Sequence, residues 1–161
     1  MGIGLSDEQI DFIQGGVSIS LASRDMRRVP SVSKAVACRV AADRRQVCVL
    51  LDAGQSQALL RDVAACGALA ATFCQPSSHR TLQLKGRDAK EAPLQAGDLE
   101  LARRHLEAFA ADLVPLGYAL SFARATQGFQ AEQLRALCFT LSDLFDQTPG
   151  PHAGARLEPG R

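Results

Sequence analysis

The feature of this sequence that most constrains its fold is a series of short segments in which apolar and polar residues alternate. Segments 17–23 and 31–40 alternate with period two, and 47–51 is a short apolar run. Such alternation is typical of half-buried β-strands. Only short polar turns, at 24–29 and 43–45, separate the three segments. We therefore predict three consecutive strands in an antiparallel meander.

Two further segments predict a hairpin in the middle of the chain. Residues 68–75 form an apolar run, and 80–85 alternate again. Between them, Pro76, Ser77 and Ser78 are typical turn residues. These segments bring the number of predicted strands to five.

Helical patterns surround the predicted strands. Ser6 and Gln9 have the spacing of a capping box, and the helix that they begin is expected to end at Gly15 and Gly16. Apolar residues recur at helical spacing at 54–67 and again at 98–113. We therefore predict three helices.

The segment 132–146 fits two structures. Leu134, Leu137 and Leu141 follow helical spacing, whereas Leu137, Phe139 and Leu141 also alternate as in a strand. Periodicity alone leaves both open. Beyond it, glycine and proline residues predict an irregular end.

The length and net charge of the chain limit the number of domains and the kinds of partner that we expect. The chain of 161 residues predicts one domain, which we place at 1–146, followed by a Pro/Gly-rich C-terminal tail at 147–161. Eighteen basic side chains (Lys+Arg 18) against 17 acidic ones give a net charge of +1, so a nucleic-acid partner is not expected. No apolar run approaches the roughly 18 residues of a membrane span, so we expect no membrane partner.

The five cysteines show no C-x-x-C pair and no histidine at zinc-ligand spacing. They lie among apolar neighbours, as in Ala37-Cys38 and Leu137-Cys138-Phe139. We therefore predict five reduced, buried cysteines, no metal site and a cytoplasmic location. His105, beside Arg103 and Arg104, is predicted to lie on the surface.

The order of predicted elements, with three phrases of sequence, carries a resemblance to a known family. The phrases are Pro30-Ser31-Val32-Ser33-Lys34, Ala70-Ala71-Thr72-Phe73 and His79-Arg80-Thr81-Leu82-Gln83-Leu84-Lys85-Gly86. The chain resembles the split β-barrel flavoproteins related to pyridoxamine 5′-phosphate oxidase, although not the oxidase itself. The resemblance implies an α+β fold, a six-stranded antiparallel split β-barrel with flanking helices. In that fold residues 132–141 are the closing strand, because the edge of a barrel must be paired.

The resemblance also implies a function. Proteins of this family are homodimers that hold FMN in a groove between subunits, so we expect an oxidoreductase that acts on a small-molecule substrate. The candidate cofactor-binding residues are Ser33, Lys34, Arg39, Ser56, Arg80, Thr81 and Gln83. The sequence departs from the family's pattern where Ser33 replaces an arginine and where Gln57 and Ala58 replace two cations. No catalytic residue is predicted.

The missing cations leave an alternative open. The chain is then a split barrel without flavin that binds haem or another small ligand, or no cofactor, and serves as a binding or sensing module. His79, just before the fifth predicted strand, is the candidate haem ligand. A different phosphorylated cofactor, or a deazaflavin, is a third possibility.

Overall fold

A computed structural model describes residues 4–157, which form four α-helices and ten β-strands. The helices are α1 Asp7–Ile13, α2 Gln57–Cys66, α3 Asp98–Leu113 and α4 Leu120–Thr126. The strands are β1 Ser18–Arg24, β2 Pro30–Ala35, β3 Ala37–Val40, β4 Gln46–Asp52, β5 Leu69–Cys74, β6 Thr81–Gly86, β7 Lys90–Ala92, β8 Leu134–Thr140, β9 Asp143–Asp146 and β10 Ala155–Arg156. Within this part of the chain, no helix has the length and hydropathy needed to cross a bilayer.

The strands lie in two antiparallel sheets. One has the order β10-β9-β6-β5-β1-β2 and the other the order β3-β4-β8-β7. Strand β2 continues into β3 through Val36, whose N–H donates to the carbonyl oxygen of Leu50 at 2.7 Å. Strand β8 continues into β9 through Leu141 and Ser142. The chain therefore passes directly from one sheet to the other at two places.

The predicted architecture is confirmed in part. Antiparallel strands and flanking helices are present, and the meander β1-β2-β3-β4 pairs as expected. The strands nevertheless divide between sheets of six and four rather than forming one closed six-stranded wall. Strands β7, β9 and β10 and helix α4 were not predicted. Strand β10 lies within the predicted tail and pairs with β9, the strand that ends at Asp146.

The strand predicted at 132–141 is confirmed as β8, Leu134–Thr140, and the helical alternative is wrong, but the strand does not close a six-stranded barrel. Strand β8 pairs with β4 along its whole length, from Leu134 opposite Asp52 to Thr140 opposite Gln46. Its side chains alternate between two buried environments. Leu137 and Phe139 face the core between the sheets, whereas Leu134 and Ala136 pack in a second cluster with Leu99 and Ala102 of α3. Burial on both faces explains why apolar residues stand at most positions of this strand, so that the segment fits helical spacing as well as strand alternation.

The main core fills the space between the two sheets. Its largest fully buried side chains include Phe73, Phe139, Ile19, Leu21 and Leu84. Helix α2 contributes Leu59 and Val63 to this core. Helix α3 covers the other face of the four-stranded sheet, so the outer face of the six-stranded sheet is the one left open.

The prediction of five reduced cysteines is wrong for two of them. Cys48 and Cys138 lie opposite each other in the β4–β8 pair, with their Cα atoms 4.0 Å apart, and are joined by a disulfide. Because the two cysteines are 90 residues apart along the chain, the sequence does not show that strand pairing places them opposite each other. Cys38 is fully buried, and burial raises the pKa of its thiol, so that thiol is not reactive at neutral pH.

The placement of His105 was also predicted wrongly. Its side chain is buried in α3, only 6 % exposed, and its Nε2 lies 2.7 Å from the carbonyl oxygen of Val17. The neutral ring donates this bond from Nε2. Burial lowers the pKa of His105, and the hydrogen bond to Val17 opposes that shift without reversing it.

We expect alkylation of the denatured, unreduced protein to label three thiols, those of Cys38, Cys66 and Cys74, because the other two are bonded. Reduction before alkylation should label all five. Intact mass spectrometry counts the labels. Five labels without reductant, in protein purified anaerobically and without added thiols, would contradict the disulfide.

We expect the free energy of unfolding to fall as the pH is lowered through the unfolded-state pKa of histidine, about 6.5. The buried ring of His105 resists protonation, whereas the ring in the unfolded chain accepts the proton. The contribution of His105 to the free energy of unfolding is therefore fully present above that pH and is lost as the pH falls below it. The slope contributed by one such group is at most about 1.4 kcal/mol per pH unit. Urea titrations between pH 7.5 and pH 5 measure it.

The matched variants keep or remove the titrating ring. His105→Gln preserves an N–H donor for Val17 and should flatten the slope, while the exposed His152→Gln should leave it unchanged. An equal slope in the wild type and His105→Gln would refute this origin of the pH dependence.

Candidate functional site

The outer face of the six-stranded sheet carries a groove of about 370 Å³ over β1, β2, β5 and β6. Strand register places one polar row across all four strands. Ser20 of β1 lies opposite Lys34 on one side and Thr72 on the other, and Thr72 lies opposite Gln83. Four side chains that are far apart in sequence therefore line one depression.

The next row of residues forms the floor of the groove. Ala22 lies opposite Val32 on β2 and Ala70 on β5. Because two of the three are alanines, the backbone of the sheet lies close to any ligand in the groove. The lining is thus shallow and largely apolar, with polar groups along one side.

Lys34 supplies the positive charge of this groove. Its side chain is exposed, and it takes part in none of the ion pairs formed among residues 4–157. A narrow crevice on its other side contains Asp52, whose carboxylate already accepts the backbone N–H groups of Gln55 and Gln130. Lys34 is therefore available to an anionic ligand.

Gln83 presents an amide to the groove. Its Nε2 donates to the hydroxyl of Thr72 at 3.1 Å, which fixes the plane of the amide across the β5–β6 pair. An amide held in this way offers both a donor and an acceptor to a ligand.

Ser33 and Ser56 form one hydrogen-bonded pair. Their hydroxyl oxygens lie 2.6 Å apart, and Ser56, just before α2, is buried. Ser33 belongs to the lining of the groove, whereas Ser56 reaches it only through Ser33. The pair connects the start of α2 to the strand that carries Lys34.

Arg39 lies away from the groove, on the four-stranded sheet. Its Nε donates to Oδ1 of Asp98 at 3.0 Å, and Asp98 is 3 % exposed. The pair joins β3 to the first residue of α3. Arg39 thus holds the start of α3 against the four-stranded sheet.

Arg80 and Thr81 lie at the start of β6 and do not line the groove. Arg80 forms an ion pair with Glu8 at 2.5 Å, and its guanidinium carbon lies 4.3 Å from the centre of the Phe12 ring. The hydroxyl of Thr81 donates to the carbonyl oxygen of His79. Arg80 thus attaches α1 to this end of the sheet, and the hydroxyl of Thr81 bonds within the β5–β6 turn.

The structure therefore brings together Ser33, Lys34 and Gln83 of the predicted residues, with Ser56 behind them. Sequence reasoning missed Ser20 and Thr72. The signal for both was present, because each alternates with an apolar neighbour on a predicted strand. The sequence did not show the strand pairing that places Ser20 and Thr72 in one row with Lys34.

Metal-binding chemistry finds no support in the described part of the chain. No group of three or more His, Cys, Asp or Glu side chains within it is arranged to hold a metal ion. The side chains that face the groove offer one ammonium (Lys34), one amide (Gln83) and two hydroxyl groups (Ser20 and Thr72).

No protein-family model matches the sequence, and no curated protein matches it. Solved structures do match. HupZ from Group A Streptococcus is 14 % identical with a TM-score of 0.56, and the alignment covers 93 % of this chain and 99 % of HupZ. HutZ, the haem storage protein from Vibrio cholerae, is 16 % identical with a TM-score of 0.50, over 91 % of this chain and 95 % of HutZ.

A third similar structure is a candidate pyridoxamine 5′-phosphate oxidase from Lactobacillus delbrueckii. It is 14 % identical with a TM-score of 0.50, and the alignment covers 88 % of this chain and 93 % of that one. Identities this low show a shared fold and nothing finer. The chain therefore has the fold of the split β-barrel proteins related to pyridoxamine 5′-phosphate oxidase.

Proposed function

We propose that this protein binds FMN in the outer groove of the six-stranded sheet and acts in a flavin-dependent oxidoreductase reaction on a small molecule. The observation that carries the proposal is the row of Lys34, Ser20, Thr72 and Gln83 above an alanine floor. The similarity in fold to a candidate pyridoxamine 5′-phosphate oxidase supports it.

The groove suits FMN in size and chemistry. Its volume of about 370 Å³ lies in the range of about 300–1,000 Å³ that is usual for small-molecule sites. A flat ring system can lie on Ala22 and Ala70, where larger side chains would fill the space. The ammonium group of Lys34 suits the phosphate, and the amide of Gln83 suits ring or ribityl oxygens.

Bound FMN would supply the electron-transfer chemistry, and the protein would supply binding and orientation. Lys34 is the one ionisable side chain among the residues that line this groove. Its proposed role is to hold the phosphate. The lining contains no carboxylate or imidazole, so we assign no acid or base.

We propose further that two copies of the chain cover the groove. Apolar side chains are exposed beside it. Val32, at the β2 end of the floor row, is 76 % exposed, and Met26 and Val29 in the β1–β2 turn are 72 % and 55 % exposed. A twofold partner would remove this apolar surface from water and enclose a ligand between subunits.

The cytoplasmic location remains a prediction. It was based on five reduced cysteines. The Cys48–Cys138 bond argues against that premise, because disulfides are rare in reducing compartments.

We expect the purified protein to retain FMN after incubation with excess cofactor and gel filtration, with visible flavin absorbance. Lys34→Ala should weaken FMN binding about tenfold or more, because a hydrogen bond to a charged group contributes about 1.5–3 kcal/mol. It should leave riboflavin binding unchanged, since riboflavin lacks the phosphate. Fluorescence titration measures both affinities.

Three variants serve as controls for this titration. Ala70→Leu fills the floor and should abolish binding of both flavins. Lys90→Ala removes an exposed lysine from β7 on the other sheet, and Arg80→Ala removes the arginine paired with Glu8. Both should bind FMN like the wild type. Loss of FMN with Arg80→Ala but not with Lys34→Ala would contradict the proposed phosphate position.

Haem is the alternative that the same spectra test. His79 is exposed in the β5–β6 turn, and the fold is similar to that of HutZ. A Soret band in the purified protein that disappears in His79→Ala, with no retained flavin, would replace the flavin proposal by a haem-binding one.

We expect light scattering coupled to gel filtration to report a dimer at micromolar concentration. Val32→Asp places a charge in the covered surface and should shift the protein toward monomer. Leu116→Asp, at a residue 46 % exposed in the turn after α3, is the matched control and should remain dimeric. A monomeric wild-type protein would exclude the proposed assembly.

A further inference from the structure

A second groove of about 360 Å³ adjoins the first on the same face of the sheet. Ala22 and Ala70 line both grooves. The second groove extends from them toward the ends of β1 and β6. A ligand lying on the two alanines can therefore reach from one groove into the other.

The second groove is lined by more positive than negative charge. Three cations line it, Arg24 at the end of β1, Lys85 of β6 and Arg87 just after β6, against one acid, Asp143 of β9. Asp143 is already paired with Arg156 at 2.7 Å and with Arg87 at 3.9 Å. It also accepts the hydroxyl of Ser142. Its charge is therefore neutralised within the protein.

Lys85 and Arg24 are not neutralised in this way. Lys85 lies opposite Asp143 in the strand register, yet it forms none of the ion pairs among the described residues, and its Nζ lies 4.7 Å from the centre of the Phe145 ring. The guanidinium of Arg24 donates to the carbonyl oxygen of Asp25. Two cations thus border the groove without a carboxylate partner within residues 4–157.

We propose that the second groove binds the anionic group, phosphate or carboxylate, of a small organic molecule whose ring or chain lies over Ala22 and Ala70. Arginine and lysine are the side chains that bind such groups through charge-assisted hydrogen bonds. The anion binding does not rest on the proposed function. The role of the second groove as the site of the flavin's reaction partner does rest on it, and with FMN on the two alanines the partner's ring or chain would lie on the flavin rather than directly on Ala22 and Ala70. The reaction partner is then an organic anion rather than a neutral or cationic molecule.

The test uses flavin-free protein and three probes, phenyl phosphate, benzoate and phenol. Titration followed by NMR should shift the signals of Ala22 and Ala70 with phenyl phosphate, benzoate or both, and not with neutral phenol. Which of the two anions binds more tightly distinguishes a phosphate from a carboxylate ligand. Added salt should weaken the binding, because the groove is open to solvent.

Variants identify the residues that hold the anion. Lys85→Ala should weaken anion binding about tenfold, as expected for one charge-assisted bond. Lys90→Ala, an exposed lysine on the other sheet, should change it less than about twofold, because it does not border the second groove. Lys34→Ala removes the cation of the first groove and should weaken anion binding less than Lys85→Ala does. A loss with Lys34→Ala that equals the loss with Lys85→Ala would overturn the proposal, as would equal binding of phenol.

Flavin titrations separate this proposal from the first one. If Lys85→Ala weakens FMN binding but not riboflavin binding, the cations serve the cofactor's phosphate and the proposal falls. If FMN binds but neither anion does, the flavin function stands and the second site is refuted. If an anion binds but FMN does not, the second site stands without the flavin function.

Discussion

Two bends, at which a strand of one sheet continues directly into a strand of the other, determine how the sheets are arranged. The bend at Val36 carries the chain from β2 to β3, and the bend at Leu141 and Ser142 carries it from β8 to β9. The two sheets are thereby held face to face, and Phe73 and Phe139 fill the core between them. Because α3 covers the outer side of the smaller sheet, the outer side of the larger one is left for a ligand or another chain.

Neighbouring residues on one strand have different roles, because their side chains lie on opposite faces of the sheet. Successive side chains on a strand point to opposite faces. Lys34 therefore reaches the outer groove, while its neighbour Ser33 bonds to Ser56 at the start of α2. The candidate site is a property of the sheet surface as a whole, since its floor and its polar row come from four strands.

Local patterns in the sequence predicted the strands β1 to β6 and β8 and the helices α1 to α3, because each depends on residues a few positions apart. They did not predict which remote side chains meet. The partners of Arg39 and Arg80 are Asp98 and Glu8, and neither is near its arginine in sequence. The burial of His105 depended likewise on a carbonyl oxygen 88 residues away. Ser33, Lys34 and Gln83 line the groove because they lie on strands that local patterns predict, and their role in binding a cofactor stays a prediction.

The Cys48–Cys138 bond closes a covalent ring that contains every residue between β4 and β8, including α3 and α4. Tyr118 and Phe122 are exposed inside that ring, in the segment that a chymotrypsin-like protease would cut first. One cut there would open the ring without separating the halves, so the nicked chain would keep its full mass until the bond is reduced. Electrophoresis with and without reductant would then reveal a break that gel filtration of the native protein does not detect.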